Sequence, residues 1–397
     1  MGNWDMVRLG DVFLSIKNGA NIKQGDDECS GYPITRIETI SDGRINRSKM
    51  GYAGIDNITP YKDNILESGD ILMSHINSVK HLGKTALYAK ENGEEIIHGM
   101  NLLRLRPSHQ QIDSKYAKYF FDTYDFKKQI PRITKNSVNQ SSFNVKALQA
   151  LTIPLPPLEV QQQIADALDR ASALIEKRKA QIAKLDLLVK SQFVEMFEGK
   201  GFPYTSLIEI IQEGAGLSYG IVQPGDDGTG SMGVLRPVDF ADGQVLSSNI
   251  KYIDRLIGDS YRRTELTGEE LLITVRGTTG ITALSDRRFK GMNVTRGIAV
   301  IRYDIKKVNP FYLNEYFRTG ESQYYIQDKT RGATLQQINL SDLRIQPILN
   351  PPLDLQNAFA DFVRQTDKSK FVMQQSLSQL ERNYKSLSQK CFCGEIF

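Results

Sequence analysis

One segment of this chain is written twice. Pro156-Pro157-Leu158-Glu159-Val160-Gln161 returns as Pro351-Pro352-Leu353-Asp354-Leu355-Gln356, an offset of 195 (156 to 351), and the offset holds downstream. It pairs Ala165-Asp166 with Ala360-Asp361, Leu185 with Leu380, Lys190-Ser191 with Lys385-Ser386, Phe197 with Phe392 and Gly199 with Gly394. Upstream it pairs Phe143-Asn144 with Ile338-Asn339, Leu148 with Leu343 and Ile153 with Ile348. Earlier the likeness thins: Ile34-Thr35-Arg36 resembles Val234-Leu235-Arg236, and Gly69-Asp70-Ile71-Leu72-Met73-Ser74 resembles Gly268-Glu269-Glu270-Leu271-Leu272-Ile273-Thr274. A repeat of this period demands a fold made of two copies of one unit. Its order, variable then similar then variable then similar, describes two modules doing one kind of work on different targets.

Each similar region reads as a long helix. Proline near its start supplies a helical φ and forgoes a hydrogen bond that the first turn lacks in any case. Steps of four and three from Ile164 meet Leu168, Ala171, Ile175, Arg178, Ile182, Leu185, Val189, Gln192 and Met196. Adding the offset gives Phe359, Val363, Thr366, Lys370, Met373, Leu377, Leu380, Tyr384, Leu387 and Cys391. These are two coiled-coil seams in one register. With Leu158 and Leu353 at their heads, Ile164, Leu168, Ile175, Ile182, Leu185 and Val189 of the first seam and Phe359, Val363, Met373, Leu377, Leu380 and Tyr384 of the second are the candidate coiled-coil and partner-binding residues. Neither segment holds proline or glycine before Gly199 and Gly394, which stand where a C′ glycine ends a helix. Roughly forty residues at about 1.5 Å rise make a rod about 60 Å long, beyond ordinary core helices of three or four turns. A two-fold relation between the halves predicts antiparallel pairing, with the modules at opposite ends and the C-terminal segment returning to the first. The expected division is a first module over 1–153, a central helix over 154–199, a second module over 200–348 and a distal helix over 349–397.

Composition adds bounds. A chain of 397 residues outgrows one core, and 40% apolar residues suffice for two. No long uncharged apolar run suggests a membrane span, and the polar start around Trp4 and Asp5 does not read as a secretory signal, so a cytoplasmic protein is expected. Three cysteines, an odd number, fit a reducing compartment. Cys391 and Cys393 alone cannot complete a tetrahedral metal site, so no metal is expected. The net charge of +4 permits an anionic partner without requiring one.

The variable modules mix β-rich runs (Asp70 to Ser74, Ile96 to Leu105, Leu271 to Val275, Gly297 to Tyr303) with aromatic-bearing helical runs (Ser114 to Lys128, Pro310 to Tyr325). The expected fold class is α+β (α/β-like) for two pseudo-symmetric modules, joined by long antiparallel coiled-coil helices. Ile153 to Gln161 followed by a long helix resembles the conserved central region of type I restriction specificity subunits. Ile348 to Gln356 resembles their distal region, with Leu349-Asn350 in place of the usual Pro-Leu. Gly69 to Ser74 through Gly83 to Leu87, and Arg276 to Leu284, resemble a recurring stretch of their target recognition domains. The resemblance covers the whole chain. It implies double-stranded DNA as ligand, two methyltransferase subunits clasping the coiled coil, and ATP-driven restriction subunits. It also implies that S-adenosylmethionine, ATP and magnesium are cofactors of those partners and not of this chain.

Reading a duplex needs side chains that reach base edges from a rigid frame, and loops rich in Gly, Asn, Gln and Arg present them. In the first module such loops are 17–24, 77–84 and 132–142, giving Lys17, Lys23, Lys80, Lys84, Arg132, Lys135, Asn136 and Gln140 as candidates, with Asn139 beside them. The second module offers Arg236, Arg262, Arg263, Arg276, Arg296, Arg331, Gln336 and Gln337 from 218–223, 276–280, 287–296, 329–337 and neighbouring turns. Arg grips guanine bidentately, and Asn and Gln do the same with adenine. Any single member is more simply a solvated charge; the concentration in loops is the better signal. All four histidines, His75, His81, His98 and His109, fall in the first module, and His75 and His81 flank a loop where they are placed to donate to phosphate or bases.

An enzyme of its own is disfavoured. Asn350-Pro351-Pro352-Leu353 resembles the Asn-Pro-Pro-aromatic element of amino-methyltransferases, but Leu353 replaces the stacking aromatic and the first copy reads Leu155-Pro156-Pro157-Leu158. No glycine-rich cofactor loop or phosphate loop accompanies it. The rival of a different class is a coiled-coil scaffold that binds proteins without DNA specificity.

Overall fold

The computed structural model describes residues 4–22, 31–136, 140–225, 230–241, 243–248, 250–333 and 335–397. The chain divides into two compact units, Met1–Lys179 with Ser376–Phe397, and Ala180–Gln375.

In the first unit β1 (Met6–Arg8) pairs antiparallel with β9 (Thr152–Pro154). Between them lies a four-stranded antiparallel sheet in the order β2 (Phe13–Asn18), β6 (Leu102–Pro107), β3 (Ile71–Ser74), β5 (Thr85–Leu87). β3 is buried throughout, because the sheet is covered on both faces and its inner strand reads as a continuous apolar run. Ile71, Met73, Leu103 and Leu105 point toward α1 (Ser114–Asp122) and the long helices. Leu72, Ala86 and Leu102 pack with Ile40, Leu66, Tyr88 and Ile96 on the opposite face. Short β4 (Ile76–Asn77), β7 (Lys135–Asn136) and β8 (Ser141–Ser142) form a separate three-stranded sheet. Helix α2 (Tyr124–Lys127) follows α1, and α3 (Val145–Gln149) follows β8.

The second unit repeats this plan. β10 (Tyr204–Ser206) pairs with β15 (Pro347–Leu349), and a four-stranded sheet runs β11 (Ser218–Tyr219), β14 (Ile298–Ile301), β12 (Leu271–Thr274), β13 (Thr282–Leu284). Leu271, Ile273, Ala299 and Ile301 face α4 (Pro310–Phe317) in one core, and Leu272, Ala283, Ile298 and Val300 line another. Helices α5 (Gly320–Lys329) and α6 (Leu340–Arg344) complete the match to α2 and α3.

The structure corrects three element boundaries. The expected strand Ile96 to Leu105 is broken: Ile97 makes only isolated bridges to Ile34 and Ile65, the chain turns after Gly99, and β6 begins at Leu102. A Cβ at Gly99 would meet Thr35 O at 2.2 Å, so backbone crowds this bend. Each aromatic helix is two helices, split at Thr123 and at Thr319. Both threonines are extended, and their hydroxyls accept the N–H of Phe126 (3.2 Å) and of Ser322 (3.3 Å), so each stops one helix and caps the next. Periodicity alone passes over such a break.

The two long helices, Leu158–Phe197 and Leu353–Phe392, are unbroken runs of 40 residues. Gly199 and Gly394 follow with φ of 68° and 67°, the left-handed conformation of a C′ glycine. Every seam position is buried or half-buried. In the first unit Ile164 and Leu168 share a core with Cys391 and Phe392, with Tyr384 and Leu387 against it, and Lys179 lies 3.8 Å from Glu381. In the second unit Val189, Phe193 and Phe197 share a core with Phe359 and Val363, and Lys370 Nζ lies 2.7 Å from Asp186 Oδ1. The start of one helix meets the end of the other in each unit, so the pairing is antiparallel. Ile175 is buried, and Leu158, Ile182, Leu185, Leu353, Met373, Leu377 and Leu380 are half-buried.

Phenylalanine closes both seams. Phe197 lies 4.9 Å from Tyr312 and 5.4 Å from Phe359 by ring centroid, and its counterpart Phe392 lies 5.2 Å from Tyr116 and 5.5 Å from Phe120. Each such ring removed from water contributes about 1.5–3 kcal/mol, so each long helix is anchored by its last turn.

Candidate nucleic-acid interface

Each unit carries a hairpin docked against the stretch that follows its inner strand. In the first, Ser141 stands opposite both Asn136 and Asn77, and Ser142 opposite Lys135 and Ile76. Ser141 Oγ donates to Asn136 Oδ1 at 2.8 Å, and the N–H of Phe143 donates to His75 O at 3.1 Å, tying the hairpin to the strand after β3. In the second, Gln337 bridges to both Arg331 and Arg276. The N–H of Arg331 donates to Gln337 O (2.9 Å), the N–H of Gln337 returns the bond (2.8 Å), and the N–H of Gly277 donates to Gln336 O (2.9 Å). Gly332 turns this hairpin at φ +103°, where a Cβ would meet Leu335 O at 2.3 Å; no other residue fits. Thr279 and Thr330 hydroxyls, 3.0 Å apart, join the two loops at their base.

These devices gather many of the expected residues. Arg132, Lys135, Asn136 and Gln140 lie exposed on or beside the first hairpin, and Lys80, Lys84 and Asn136 together line a cavity of about 320 Å³. Lys135 edges another cavity of about 580 Å³, shared with Asn18, His75, Phe143 and Lys146. Arg276, Arg331, Gln336 and Gln337 converge on the second hairpin. The chain thus presents two cationic, amide-bearing hairpin patches, each set against the stretch that follows its unit's inner strand, with different registers and different side chains.

Other expected residues sit elsewhere. Lys17 is within strand β2, opposite Arg104, and not in a loop; burial and the Arg104 charge lower its pKa. Lys84 edges the first patch, but its Nζ donates to Ser41 O at 3.1 Å. Arg236 is bound to the Asp239 carboxylate, its N–H at 2.7 Å and its guanidinium at 3.0 and 3.2 Å, so it closes its own turn. Arg262 and Arg263 are exposed on a separate 3-10 turn, where Arg263 O accepts from Arg302. Arg296 is exposed on a turn whose N–H donates to Ile221 O. Lys23 and Asn139 lie outside the described residues.

The histidines need correction. His75 is only 4% exposed and His98 fully buried, so neither stands at the surface. Burial depresses their pKa values to about 4 and about 3 respectively. His81, half-buried beside Lys80 and Lys84, is the one that remains near the candidate patch. Sequence reasoning missed the hydroxyls that brace the patches, Ser141, Thr279 and Thr330. The alignment of Asn136 with Arg331 at the repeat offset was the available pointer.

Two mixed modules with corresponding loop patches, each tied to antiparallel helices from one duplicated segment, define a protein built of two copies of one plan. Comparison with known proteins agrees with this class. Residues 1–185 and 244–382 match the type I restriction modification DNA specificity domain. The MjaX type I restriction enzyme specificity subunit of Methanocaldococcus jannaschii is 33% identical, over 99% of this chain and 94% of its own length. The EcoBI specificity subunit of Escherichia coli is 24% identical, over 72% of this chain and 67% of its own. Two solved structures share the fold. One, from work on the assembly of the type I restriction-modification system, superposes with a TM-score of 0.58 at 17% identity, covering 99% of this chain and 98% of that one. The other, a type I specificity subunit from M. genitalium, superposes with a TM-score of 0.56 at 14% identity, covering 98% and 96%. This chain belongs to the family of type I restriction-modification specificity subunits, with two DNA recognition domains.

Proposed function

We propose that each module reads one half of a two-part duplex site through its hairpin patch. In this reading Lys80, Arg132, Lys135, Asn136 and Gln140 address one half-site, and Arg276, Arg331, Gln336 and Gln337 the other. The paired helices seat two methyltransferase subunits, which supply S-adenosylmethionine chemistry on adenine, and restriction subunits with ATP and magnesium join that core. The supporting observation is the device built twice: a hairpin docked beside the inner strand, filled with lysine, asparagine and serine in one unit and with arginine and glutamine in the other. Unlike side chains on like frames are what two unlike half-sites require.

The test uses the subunit assembled with its methyltransferase and a library of duplexes. Binding should weaken steeply as salt rises, with the slope set by phosphate contacts. Arg276→Ala or Arg331→Ala should cost about 1–3 kcal/mol at the second half-site and relax its base preference while leaving the first intact. Equal loss at both half-sites sinks the assignment. Salt-insensitive association with a protein, without duplex preference, would favour the scaffold reading.

A further inference from the structure

The repeat preserves two glutamines that the recognition patches do not use. Gln161 and Gln356 occupy the first turn of the two long helices, and both are fully buried. Gln161 Oε1 accepts the N–H of Asp113 at 2.8 Å, and its Nε2 donates to Pro156 O (2.8 Å) and Gln111 O (3.0 Å). Gln356 Oε1 accepts the N–H of Asn309 at 2.9 Å, and its Nε2 donates to Pro351 O (2.8 Å) and Asn350 Oδ1 (3.2 Å). Asp113 and Asn309 are the N-caps of α1 and α4, so each amide joins the same three parts: the long helix, the proline turn before it, and the first cap of the module's helical layer. A tyrosine adds a second weld in each unit, Tyr116 hydroxyl to Pro154 O at 2.7 Å and Tyr312 hydroxyl to Leu349 O at 2.8 Å.

Apolar packing is non-directional and lets two elements rock about their contact. A buried amide with its donor and acceptor both engaged has one geometry, and tilting the module would strand a backbone N–H away from water. We propose that Gln161 and Gln356 are positioning residues that fix the angle between each recognition module and the long helix it meets, and so set which spacer length between half-sites is accepted. The inference rests on the two-part reading above. Base preference then resides in the hairpin patches and spacer preference in the two amides.

Gln161→Met and Gln356→Met keep length and apolar bulk and delete the bonds. Each variant, assembled with the methyltransferase, is offered duplexes carrying both half-sites with every spacer across about one helical turn. Selectivity for the preferred spacer over its neighbours should fall about tenfold, with base preference at each half-site unchanged. Tyr116→Phe, which removes a single hydroxyl, should broaden the spacer profile less and decides the matter if the methionine variants do not fold. An unchanged spacer profile in a folded variant overturns the inference, as does a loss of base preference alongside it. A wild-type complex that selects no paired half-sites would overturn the two-part reading itself.

Discussion

At three matched positions the first unit buries a basic side chain where the second buries valine. His75 and Val275 both accept, through their carbonyls, the N–H of the residue that follows the hairpin. His98 and Val294 accept from Ala20 and Ile221 in the same way, and Arg104 and Val300 stand opposite Leu72 and Leu272 in the central strand pair. The acid at the head of the inner strand is handled differently as well. Asp70 is gripped by Arg106 through two bonds of 2.8 Å, with Arg104 Nε 4.0 Å away and itself without a hydrogen-bond partner among the described residues. Glu270 is held by the N–H groups of Thr267, Gly268 and Glu269 and by two hydroxyls; burial raises its pKa, but these bonds win and leave it lowered. One backbone plan therefore supports an acid gripped directly by arginine in one unit and, in the other, an acid held mainly by N–H and hydroxyl donors, with Arg302 Nε standing back at 3.7 Å. The ionic version is the costlier to disturb, because a buried charge that loses its partner has nowhere to turn.

The largest expected asymmetry follows from that acid. Asp70→Asn should destabilise the first unit by about 3–5 kcal/mol, since buried Arg104 loses its nearby carboxylate and Arg106 is left with the exposed Glu67, whereas Glu270→Gln should cost the second about 1–3 kcal/mol. The single tryptophan, Trp4, belongs to the first unit, so its fluorescence in a urea titration follows that unit while far-ultraviolet circular dichroism follows both. Equal losses would erase the contrast. Acid should separate the units next. His75 and His98 are held neutral in the fold, well below the 6.5 of an unhindered imidazole, so the unfolded chain binds protons first. Their contribution is complete above about pH 6.5 and fades as pH falls toward 4, by up to about 1.4 kcal/mol per pH unit for each. The second unit has no histidine. Trp4 should report loosening between pH 6.5 and 5 before the second unit responds, and His75→Val should shrink that window; a coincident acid transition in both units would refute the idea. The smallest effect should be shared: Thr123→Ala and Thr319→Ala each remove one helix cap and should cost about 1 kcal/mol in their own unit. A clear inequality there would mean that the helical layers differ as the interiors do.

The seams were legible because forty residues without glycine or proline carry their apolar positions at one spacing, and the copy confirmed the register. The break at Thr123 was not, since Tyr116, Phe120, Phe121 and Phe126 continue an apolar pattern across it. The hairpin patches were legible as polar loops, but their pairing onto Ile76–Asn77 and Arg276 depends on contacts between residues far apart in sequence. Arg236 and Lys84 show why loop cations mislead: a carboxylate three residues on and a carbonyl far upstream claim them. His75 follows strand β3 and Arg104 lies within β6, and nothing local signals that their polar side chains turn inward.

The last turns of the distal helix finish the core of the first unit, while the second unit is a single continuous stretch of chain. On the ribosome the usual order of maturation is therefore inverted. Residues 180–375 have all their partners once they emerge, but Tyr116 and Phe120 wait for Phe392, which follows the whole of the second unit. The domain synthesised first is completed last, and a nascent chain interrupted before that point exposes an aromatic socket to chaperones and proteases.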